Sequence, residues 1–396
     1  MSAFVDVLVI GGGPAGATAS VLLAEAGWSV VTLERKRFPR KKVCGEYLSG
    51  TSLPLLDRLG VGHVFRDAAG PAVTHVGLFA GERTISAPLP RPGALWGRAL
   101  SRDRLDTLLL ERAAQAGADV RQPASATSIE PTEDGHACRI EDGAGGEGEQ
   151  IRSRIVIAAH GSWEAGTLPT QPARRAARDS DLFGFKAHFV GAHLAEGLMP
   201  LLAFEGGYGG MVHVDRDQTS LSFCLRRDAL RAVREEFPGE AGEAGFAHIA
   251  RSCAGARDAL GGGTRVDEWL GAGPIRPGAR PTAAEGVFPV GNAAGEAHPV
   301  VAEGICMAIQ GAFLLARRLI AWRQEGAHRR SLGSVGASYA RDWRRAFAPR
   351  VAASAAVARW AMHESLTAPT LPMVGAFPSL LTWGARLAGK AARVPC

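Results

Sequence analysis

The chain has 396 residues, 46% of them hydrophobic, so it is long enough for two domains or for one large α/β body with an inserted region. Its 45 basic and 39 acidic residues include no long tract of one sign, and this diffuse excess of +6 gives no indication of nucleic-acid binding. The six cysteines form no CxxC pair and no zinc-ligand spacing, which predicts a reduced, cytoplasmic protein without a disulfide framework.

The first apolar run, residues 4–10, contains Asp6 and lacks a cationic leader, so it is typical of a first strand and not of a signal peptide. Elsewhere, no uninterrupted apolar stretch reaches the roughly 18 residues that predict a membrane-spanning helix. The sequence therefore predicts a soluble chain.

The segment from Val5 to Arg35 carries a complete βαβ nucleotide-binding pattern: a β-rich run, GxGxxG, an apolar helix-favouring stretch and a second strand ending at Glu34. Gly11 permits a tight turn, Gly13 lets the backbone approach a pyrophosphate, and Gly16 allows close contact between helix and strand. Glu34 lies 18 residues beyond Gly16. This is close to the roughly 20-residue spacing at which a carboxylate accepts ribose hydroxyls, so the ordered set predicts dinucleotide binding.

A basic run follows directly, with six cations in residues 35–42, and it ends at Cys44, Gly45 and Glu46. The pattern is compatible with a solvated loop and equally with a segment that folds back over a pyrophosphate. Further along, residues 102–115 predict a helix with leucines on one face, and Ser101 is its expected N-cap.

Residues 118–159 alternate short strand-like runs with turns, and residues 141–150 are typical of an exposed hairpin tip. Residues 155–161, IVIAAHG, predict another buried parallel strand that enters a glycine turn. In residues 183–227 the pattern changes to alternation of apolar and polar residues with Gly-rich links. It predicts three strands of a mostly antiparallel layer, in the segments FGFKAHFVGA, PLLAFEGGYGGMVHVD and TSLSFCLRRD. Residues 285–316 again have the order of the first motif, with a strand, a glycine loop and a helix from about Glu303.

The tail from Ser331 onward is rich in Ala and Arg and helical in composition. Residues 379–393 place cations on one helical face and apolar residues on the other. The basic face contains Arg386, Lys390 and Arg393, and the apolar face contains Leu380, Leu387 and Ala391. This pattern allows peripheral membrane contact, although a helix that covers the body with its polar side in water is the favoured interpretation.

Three ordered blocks resemble the flavin-binding motifs of the p-hydroxybenzoate hydroxylase superfamily, particularly its geranylgeranyl reductase-like branch. They are GGGPAGATAS with Glu34, RKRFPRKKVCGEYLSG, and VFPVGNAAGEAHPVVAEGICMAIQGAFLLA, and together they span roughly residues 4–320. The resemblance implies FAD as cofactor. It also implies an α/β fold, with a Rossmann-like FAD-binding domain, an inserted, mostly antiparallel β-sheet substrate domain and a helical C-terminal region.

The implied domains are discontinuous. Residues 1–70, 101–180 and 285–330 would form the three segments of the FAD-binding domain. Residues 71–100 and 181–284 would form the substrate domain, and residues 331–396 the helical C-terminal region.

The resemblance also implies cofactor contacts by position. The pyrophosphate contacts fall on the glycine-rich loop, at Gly11, Gly13, Ala15 and Gly16. Glu34 would bind the adenosine ribose, Arg35 the neighbouring phosphate or the adenine side, and Arg102 would approach the FAD from the start of its helix.

The third block would hold the other end of the cofactor. Gly291 and Asn292 would bind the ribityl chain, while Pro299, Gly304 and Ile305 would lie beside the isoalloxazine ring. Two departures from the family pattern occur. Asn292 stands where relatives carry Asp, yet its amide oxygen can still accept a hydroxyl hydrogen bond. His160 also stands where the family motif has Asp, which puts any role of that motif in binding FAD or NADPH in doubt.

A flavin at the third block is also supported by elementary electrostatics. Reduced flavin carries negative charge near N1 and the C2 carbonyl, and a helix that begins around residues 302–304 would stabilise it through free N–H groups and the helix dipole. This interaction would raise the reduction potential. A plain glycine-rich loop leading to a core helix is the alternative.

The chain offers no evident Ser-His-Asp set, metal cluster or paired carboxylates, so the reactive group is expected to be the cofactor. Cys44 and Glu46 are the first catalytic candidates, because the resemblance places a CGE-like turn at the active site; an inert buried cysteine is the alternative. His298 is the nearest candidate proton donor, and a histidine that orients the loop is equally compatible. Apolar side chains of the second layer would wall a substrate cavity. They are Phe183, Phe185, Phe189, Leu202, Phe204, Tyr208, Met211 and Phe223.

The sequence thus predicts an FAD-dependent oxidoreductase that acts on a hydrophobic or aromatic small molecule, with NADPH or NADH as electron donor. In the favoured mechanism, the reduced flavin delivers hydride to a carbon–carbon double bond. The alternative is a monooxygenase that hydroxylates an aromatic or polyketide-like secondary metabolite through a C4a-hydroperoxide. An NAD-only dehydrogenase or a catalytically silent flavin binder is a second alternative. The single GxGxxG argues against a two-nucleotide disulfide reductase.

Overall fold

The computed structural model describes residues 4–91, 95–142, 148–161, 166–171, 175–280, 286–326 and 331–390. These residues form two large sheets and a helical C-terminal region. The strands are β1 (Phe4–Ile10), β2 (Val30–Leu33), β3 (Tyr47–Leu48), β4 (His75–Ala80), β5 (Arg83–Pro88), β6 (Arg98–Ala99), β7 (Asp119–Arg121), β8 (Ala124–Thr132), β9 (Gly135–Asp142), β10 (Glu149–Ala158), β11 (Leu182–Val190), β12 (Leu198–Phe204), β13 (Gly207–Val214), β14 (Gln218–Arg226), β15 (Thr264–Arg265), β16 (Leu270–Ile275), β17 (Gly278–Ala279), β18 (Val287–Pro289) and β19 (Gly295–Glu296). The helices are α1 (Pro14–Glu25), α2 (Leu53–Arg58), α3 (Gly62–Ala68), α4 (Arg102–Gln115), α5 (Arg227–Glu236), α6 (Ala241–Ser252), α7 (Ala254–Leu260), α8 (Gly304–Gln324), α9 (Leu332–Ala361), α10 (Glu364–Ala376) and α11 (Ser379–Ala385).

The first sheet has a parallel core in the order β7-β2-β1-β10-β18, and β9 and β8 continue antiparallel from the start of β10. Strands β2 and β18 and the last four residues of β1 and of β10 are buried and largely apolar, as expected of a parallel sheet that is covered on both faces. Helices α1, α4 and α8 pack together over one face. Helix α1 begins at Pro14, because proline at the first helical position has the required φ and lacks only an N–H that would have no partner there.

The second sheet has the order β15-β11-β14-β13-β12-β4-β5, with β16 also paired to β11. All of its pairings are antiparallel except that of β12 with β4. The prediction of three strands in residues 183–227 was wrong, because PLLAFEGGYGGMVHVD folds as the hairpin of β12 and β13. Gly206, at φ +75, makes the turn between them.

The predicted aromatic cavity wall was also wrong for most of its members. Strand alternation turns one face of the second sheet toward α6 and α7, where these side chains form a closed hydrophobic core. The core contains Phe185, Phe189, Leu202, Phe204, Met211 and Phe223, with Phe183 packed against it. Only Tyr208 of the predicted set belongs to a different cluster, on the opposite face.

Together the two sheets, the covering helices and the C-terminal helices confirm the predicted α/β architecture. The strands of the second sheet fall within residues 71–100 and 181–284. The predicted boundary at residues 284 and 285 lies outside the described residues, as do residues 143–147 of the predicted hairpin tip at 141–150.

In the described part of the chain, one helix, α8, is long and apolar enough to cross a membrane. However, 72% of its most apolar window is buried inside the protein. It packs between α1 and α9, which is the environment of a core helix.

The C-terminal segment does not form the predicted amphipathic helix over residues 379–393. Helix α11 ends at Ala385, and a wider turn, Arg386–Lys390, follows with Gly389 at φ +99. Lys390 is buried instead of lying on a polar face. Arg393 lies outside the described residues.

Candidate functional site

The glycine-rich loop has the geometry that its sequence predicts. Gly11 has φ +111, and a methyl group added to it would lie 2.5 Å from the carbonyl oxygen of Ala159. A methyl group added to Gly16 would lie 1.8 Å from the carbonyl oxygen of Gly11. These two glycines therefore let β1, α1 and β10 approach each other closely.

Gly13 is glycine for a different reason. A methyl group at Gly13 would meet nothing closer than the Arg40 guanidinium, 3.9 Å away. This open space adjoins the N-terminus of α1, where the N–H groups of Ala15 and Gly16 have no partner within the helix. A space bounded by free N–H groups and an arginine fits a diphosphate.

Glu34 lies at the end of β2 and is buried. Its carboxylate accepts hydrogen bonds from the N–H groups of Gly12 at 2.9 Å and Lys36 at 3.0 Å. Arg40 approaches the same carboxylate at 3.7 Å. Because a carboxylate has about four acceptor positions, Glu34 can brace the glycine loop and still accept ribose hydroxyls.

The basic run divides into an exposed part and a part that packs beside the glycine-rich loop. Residues 35–37 are exposed. Arg40 instead folds back over the nucleotide loop and reaches Asp106 at 3.7 Å. Lys42 follows it, and burial, reinforced by the nearby Arg102 and Arg40, lowers the pKa of Lys42 to about 8. The end of the run thus makes the region around the glycine loop electropositive.

Glu46 is fully buried and joins three parts of the fold. It has φ +60, a left-handed conformation that is uncommon outside glycine. Its Oε1 accepts the N–H of Arg102 at 2.8 Å, and Lys186 donates to the same oxygen. His188 Nε2 lies 2.8 Å from Oε2. Burial disfavours the ionised form, but Lys186 and His188 outweigh burial and lower the pKa of Glu46.

This carboxylate also replaces the predicted helix cap. Ser101 occupies the N-cap position of α4, but its side chain makes no capping hydrogen bond. The first N–H of α4, that of Arg102, bonds to Glu46 instead, and a negative charge there also interacts favourably with the helix dipole.

Arg102 and Cys44 lie on the other side of this turn. The Arg102 guanidinium forms a two-pronged ion pair with Asp106, at 2.7 and 2.8 Å, and lies against the Cys44 thiol. Burial disfavours its charge, but Asp106 outweighs burial and raises the pKa of Arg102. Cys44 is half-buried, and the Glu46 N–H points at its Sγ from 3.4 Å. The CGE turn is therefore held in place from both domains.

The residues on the far side of Glu46 were missed by the sequence analysis. His188 Nδ1 lies 2.9 Å from Asp267 Oδ2, and the same carboxylate bonds Lys41 at 3.0 Å. Burial works against the imidazolium, but hydrogen bonds to Asp267 and Glu46 raise the pKa of His188 to about 9. For Asp267, the bonds from His188 outweigh burial and lower the pKa. A chain of charged groups thus runs from the exposed Lys41 to the buried Glu46.

The third motif meets the first one directly. Gly291 has φ +59, and a methyl group there would lie 2.9 Å from the Cβ of Ala15, so this glycine lets the loop pack on the start of α1. Asn292 donates its amide N–H to Glu296 at 2.8 Å, which fixes the orientation of its side chain. The loop expected to bind the ribityl chain is therefore in contact with the loop expected to bind the diphosphate.

The start of α8 is open. A methyl group at Gly304 would meet no atom within 4 Å, whereas Ile305 is buried, and Pro299 lies exposed at the edge. The chain enters the helix through Ala302, at φ +51, and Glu303. An open helix N-terminus with a glycine at its first position fits the negatively charged edge of a reduced flavin.

His298 lies between this loop and the second sheet. Its Nδ1 is 3.4 Å from the Tyr208 hydroxyl, and its backbone N–H donates to Ser354 Oγ at 2.9 Å. Burial lowers the pKa of His298 to about 4, so the imidazole is neutral at physiological pH.

His160, which stands where the family motif has Asp, contacts neighbouring residues through both ring nitrogens. Its ring nitrogens contact Gly161 O and Thr170 Oγ1, each at 2.9 Å. Gly161, at φ +91, lies close to Lys42, since a methyl group there would be 3.8 Å from Nζ. His160 therefore bridges Gly161 and Thr170.

The face of the second sheet that is turned toward the first domain is mixed: polar side chains of β11 and β14 lie beside an apolar cluster that includes Leu78, Leu182 and Ala203. The alternation that buries the aromatic residues points the intervening side chains to this face. They include Gly184, Lys186, His188, Tyr208, Ser220, Ser222 and Cys224. A methyl group at Gly45 would lie 3.5 Å from Ser222 Oγ, so the CGE turn rests directly on this face.

Fold and site together define an FAD-dependent oxidoreductase. Residues 4–353 match the FAD-binding domain family, so the chain belongs to this family of flavoproteins. This finding confirms the superfamily and the FAD cofactor expected from the sequence, and it excludes the NAD-only alternative.

Curated relatives include two reductases. The chain is 27% identical over 340 residues to digeranylgeranylglycerophospholipid reductase 1 of Methanothermobacter thermautotrophicus, covering 81% of this chain and 78% of that protein. It is 30% identical over 161 residues to menaquinone reductase of Mycobacterium tuberculosis, but this match spans only 40% of the chain and 38% of the relative.

The fold is shared more widely than the reaction. The flavin-dependent brominase Bmp2 superposes with a TM-score of 0.77 at 18% identity, covering 98% of this chain and 94% of that one. A likeness at this identity concerns the fold alone.

Proposed function

We propose that this protein reduces a carbon–carbon double bond of a hydrophobic substrate, with FAD as the redox cofactor and NADPH or NADH as the electron donor. The observation that carries the proposal is the position of the CGE turn, which lies between Arg102 of the flavoprotein domain and the inner face of the second sheet. Similarity to digeranylgeranylglycerophospholipid reductase 1 over 81% of the chain supports the proposal.

Gly13, Ala15 and Arg40 would hold the FAD diphosphate, Glu34 the ribose, and Gly304 the edge of the ring. When bound, FAD would supply the two-electron redox chemistry that links a nicotinamide donor to the substrate. The chain's own residues have to position both molecules and provide the proton that completes the reduction.

We assign that proton to Cys44 Sγ. Reduction of a double bond adds a hydride to one carbon and a proton to the other, so a donor must face the substrate. Cys44 is half-buried at the domain junction, with Arg102 beside it to stabilise the charge left behind. His298 is a poorer donor, because with a pKa of about 4 it has no imidazolium proton to give at neutral pH.

Glu46, in contrast, is a positioning residue in this proposal. It is fully buried, and its oxygens are already bound by Arg102, Lys186 and His188. It orients the Cys44 turn and does not itself touch substrate.

A second candidate, hydroxylation with oxygen, is favoured by one specific observation. The inner face of the second sheet carries Lys186, His188 and the serines of β14, beside apolar side chains such as Leu182 and Ala203, in place of the expected aromatic wall. Such a face suits a substrate that carries polar groups, as an aromatic or polyketide-like metabolite does.

The experiment reduces the purified holoprotein with NADPH or NADH without oxygen, adds polyprenyl substrates, and measures the mass of the product. A gain of two hydrogens supports reduction. A gain of one oxygen atom, seen only in air, supports hydroxylation and contradicts the proposal.

Cys44→Ala provides the residue-level test. We expect full flavin content but turnover slowed about 100-fold, the usual size of a lost acid catalyst. Cys138→Ala is the matched control, since Cys138 is buried in the β8–β10 layer away from the turn, and it should turn over normally. Unchanged turnover of Cys44→Ala would reduce Cys44 to a packing role.

A further inference from the structure

An exposed apolar surface covers the C-terminal helices. In the described part of the chain, most of the exposed large hydrophobic side chains lie between residues 366 and 387. We call this set the apolar patch: Leu366, Met373, Phe377, Leu380, Trp383 and Leu387. Phe377, Trp383 and Leu387 are each more than 60% exposed, which for adjoining side chains of this size marks an interaction surface.

The patch is ordered by helical spacing. Leu366 and Met373 lie seven residues apart on α10, so they share a face, and Phe377 follows at the end of that helix. Leu380 and Trp383 lie three residues apart on α11, with Leu387 four residues further on. Because α10 and α11 are consecutive and pack on each other, the two rows adjoin.

The surrounding surface lacks charge. Residues 365–385 contain no Asp, Glu, Lys, Arg or His, although 21% of the whole chain is charged. Water-facing protein surface normally carries about a quarter to a third charged residues. This segment therefore does not have the composition of a surface that faces only water.

The other side of the segment is fixed to the body. Val374, Ala385 and Ala388 are buried, and Thr382 Oγ1 donates to the carbonyl of Pro88 at 2.7 Å. Lys390 Nζ reaches the carbonyl of Val301 at 3.0 Å and Glu303 at 3.1 Å. The patch is consequently held in a defined outward orientation and is not a loose tail.

Two arginines border the patch. Arg386 and Arg83 are exposed at its edge, the latter 3.6 Å from where a methyl group on Gly375 would lie. Glu82, beside Arg83, faces Arg257 at 3.9 Å.

We propose that the apolar patch binds the surface of a lipid bilayer that contains anionic lipids. Apolar side chains with Phe and Trp, bordered by cations, are the pattern of interfacial binding. The helices lie in the interface and do not cross it, since α10 and α11 are shorter than the roughly 20 residues required and α10 contains Pro369 and Pro372. A second copy of this chain fits less well, because two cationic borders would face each other.

Vesicle flotation of the full-length holoprotein tests this proposal independently of the reaction. We expect binding to vesicles of phosphatidylcholine with phosphatidylglycerol. The double variant Phe377→Ser, Trp383→Ser should bind at least about tenfold more weakly, because it removes two large inserting side chains. Val64→Ser with Val266→Ser is the matched control, since those side chains are 52% and 46% exposed but lie outside the patch, and it should bind like wild type.

Arg386→Glu should weaken binding to the anionic vesicles more than binding to pure phosphatidylcholine vesicles. Equal flotation of the wild type and the double variant would overturn the proposal. So would sedimentation as a dimer that the double variant converts to a monomer, because the patch would then bind a second copy.

Discussion

At the scale of single residues, the site depends on Glu46. Its left-handed backbone costs on the order of 1–2 kcal/mol, and this strain persists because the side chain bonds partners from two domains. A carboxylate that caps α4 and pairs with Lys186 and His188 fixes the position of Cys44 two residues earlier. The strain is therefore tied to the placement of the reactive turn.

Gly13→Val tests the diphosphate position. A Cβ at this position has only Arg40 within 4 Å, so the variant should fold, while the two valine methyl groups would occupy the space expected for the diphosphate. We expect flavin content close to zero and an unchanged melting temperature of the apoprotein. Gly271→Val is the control, because a methyl group there meets nothing closer than 3.7 Å and it lies on β16, away from the cofactor. Full flavin content in Gly13→Val would contradict the placement.

The row of charged groups that includes His188 predicts that the free energy of unfolding depends on pH. The pKa of His188 is about 9 in the folded protein against an ordinary 6.5, so its imidazolium stabilises the fold fully below pH 6.5 and ceases to do so as the pH rises through about 9. Wild type should lose roughly 2–3 kcal/mol of unfolding free energy over that range by this mechanism. Urea titrations at both ends of the range, compared with His188→Gln, measure it. The same pH slope in the variant would show that another group is responsible.

At the scale of elements, the start of α8 brings together the flavin loop and the C-terminal segment. Glu303, fully buried just before the helix, pairs with Lys390 and lies 3.9 Å from Arg350. Gly389, at φ +99, packs against Arg350, which lets the chain turn inward there. The end of the described chain is therefore anchored beside the expected ring of the cofactor.

Lys390→Met should release this anchor. Removing one member of a buried ion pair leaves the other uncompensated, at a cost of about 3–5 kcal/mol. We expect local detachment of residues 379–390 and faster hydrogen exchange there, with the first sheet unaffected. Arg386→Met, at an exposed position four residues earlier, is the control. Unchanged exchange in Lys390→Met would mean that apolar packing alone holds the segment.

At the scale of the whole molecule, the site lies at the junction of two sheets. The chain passes from one sheet to the other several times. The first motif, the basic run and the third motif were recognised because each combines local spacing with a turn or helix start, as at Gly11, Glu34 and Gly304. Their roles in binding remain predictions, while the fold and the FAD cofactor are confirmed.

The remaining features could not be predicted because they depend on long-range topology. His188 and Asp267 are 79 residues apart, and His188 and Glu46 are 142 apart. Only the pairing of β11 within the second sheet brings them together. Alternation along the same strand could have indicated that Lys186 and His188 share a face opposite Phe185, and that pattern was the one available signal for a polar inner wall.

The central claim is that the reduced holoprotein passes hydride to a carbon–carbon double bond. The most direct measurement is anaerobic reoxidation of the reduced flavin by a polyprenyl substrate, followed by visible absorbance and product mass. The account predicts that the oxidised flavin spectrum returns without oxygen, with one product heavier by two hydrogens for each flavin. A flavin that stays reduced with every such substrate and reoxidises only when oxygen is admitted would contradict it.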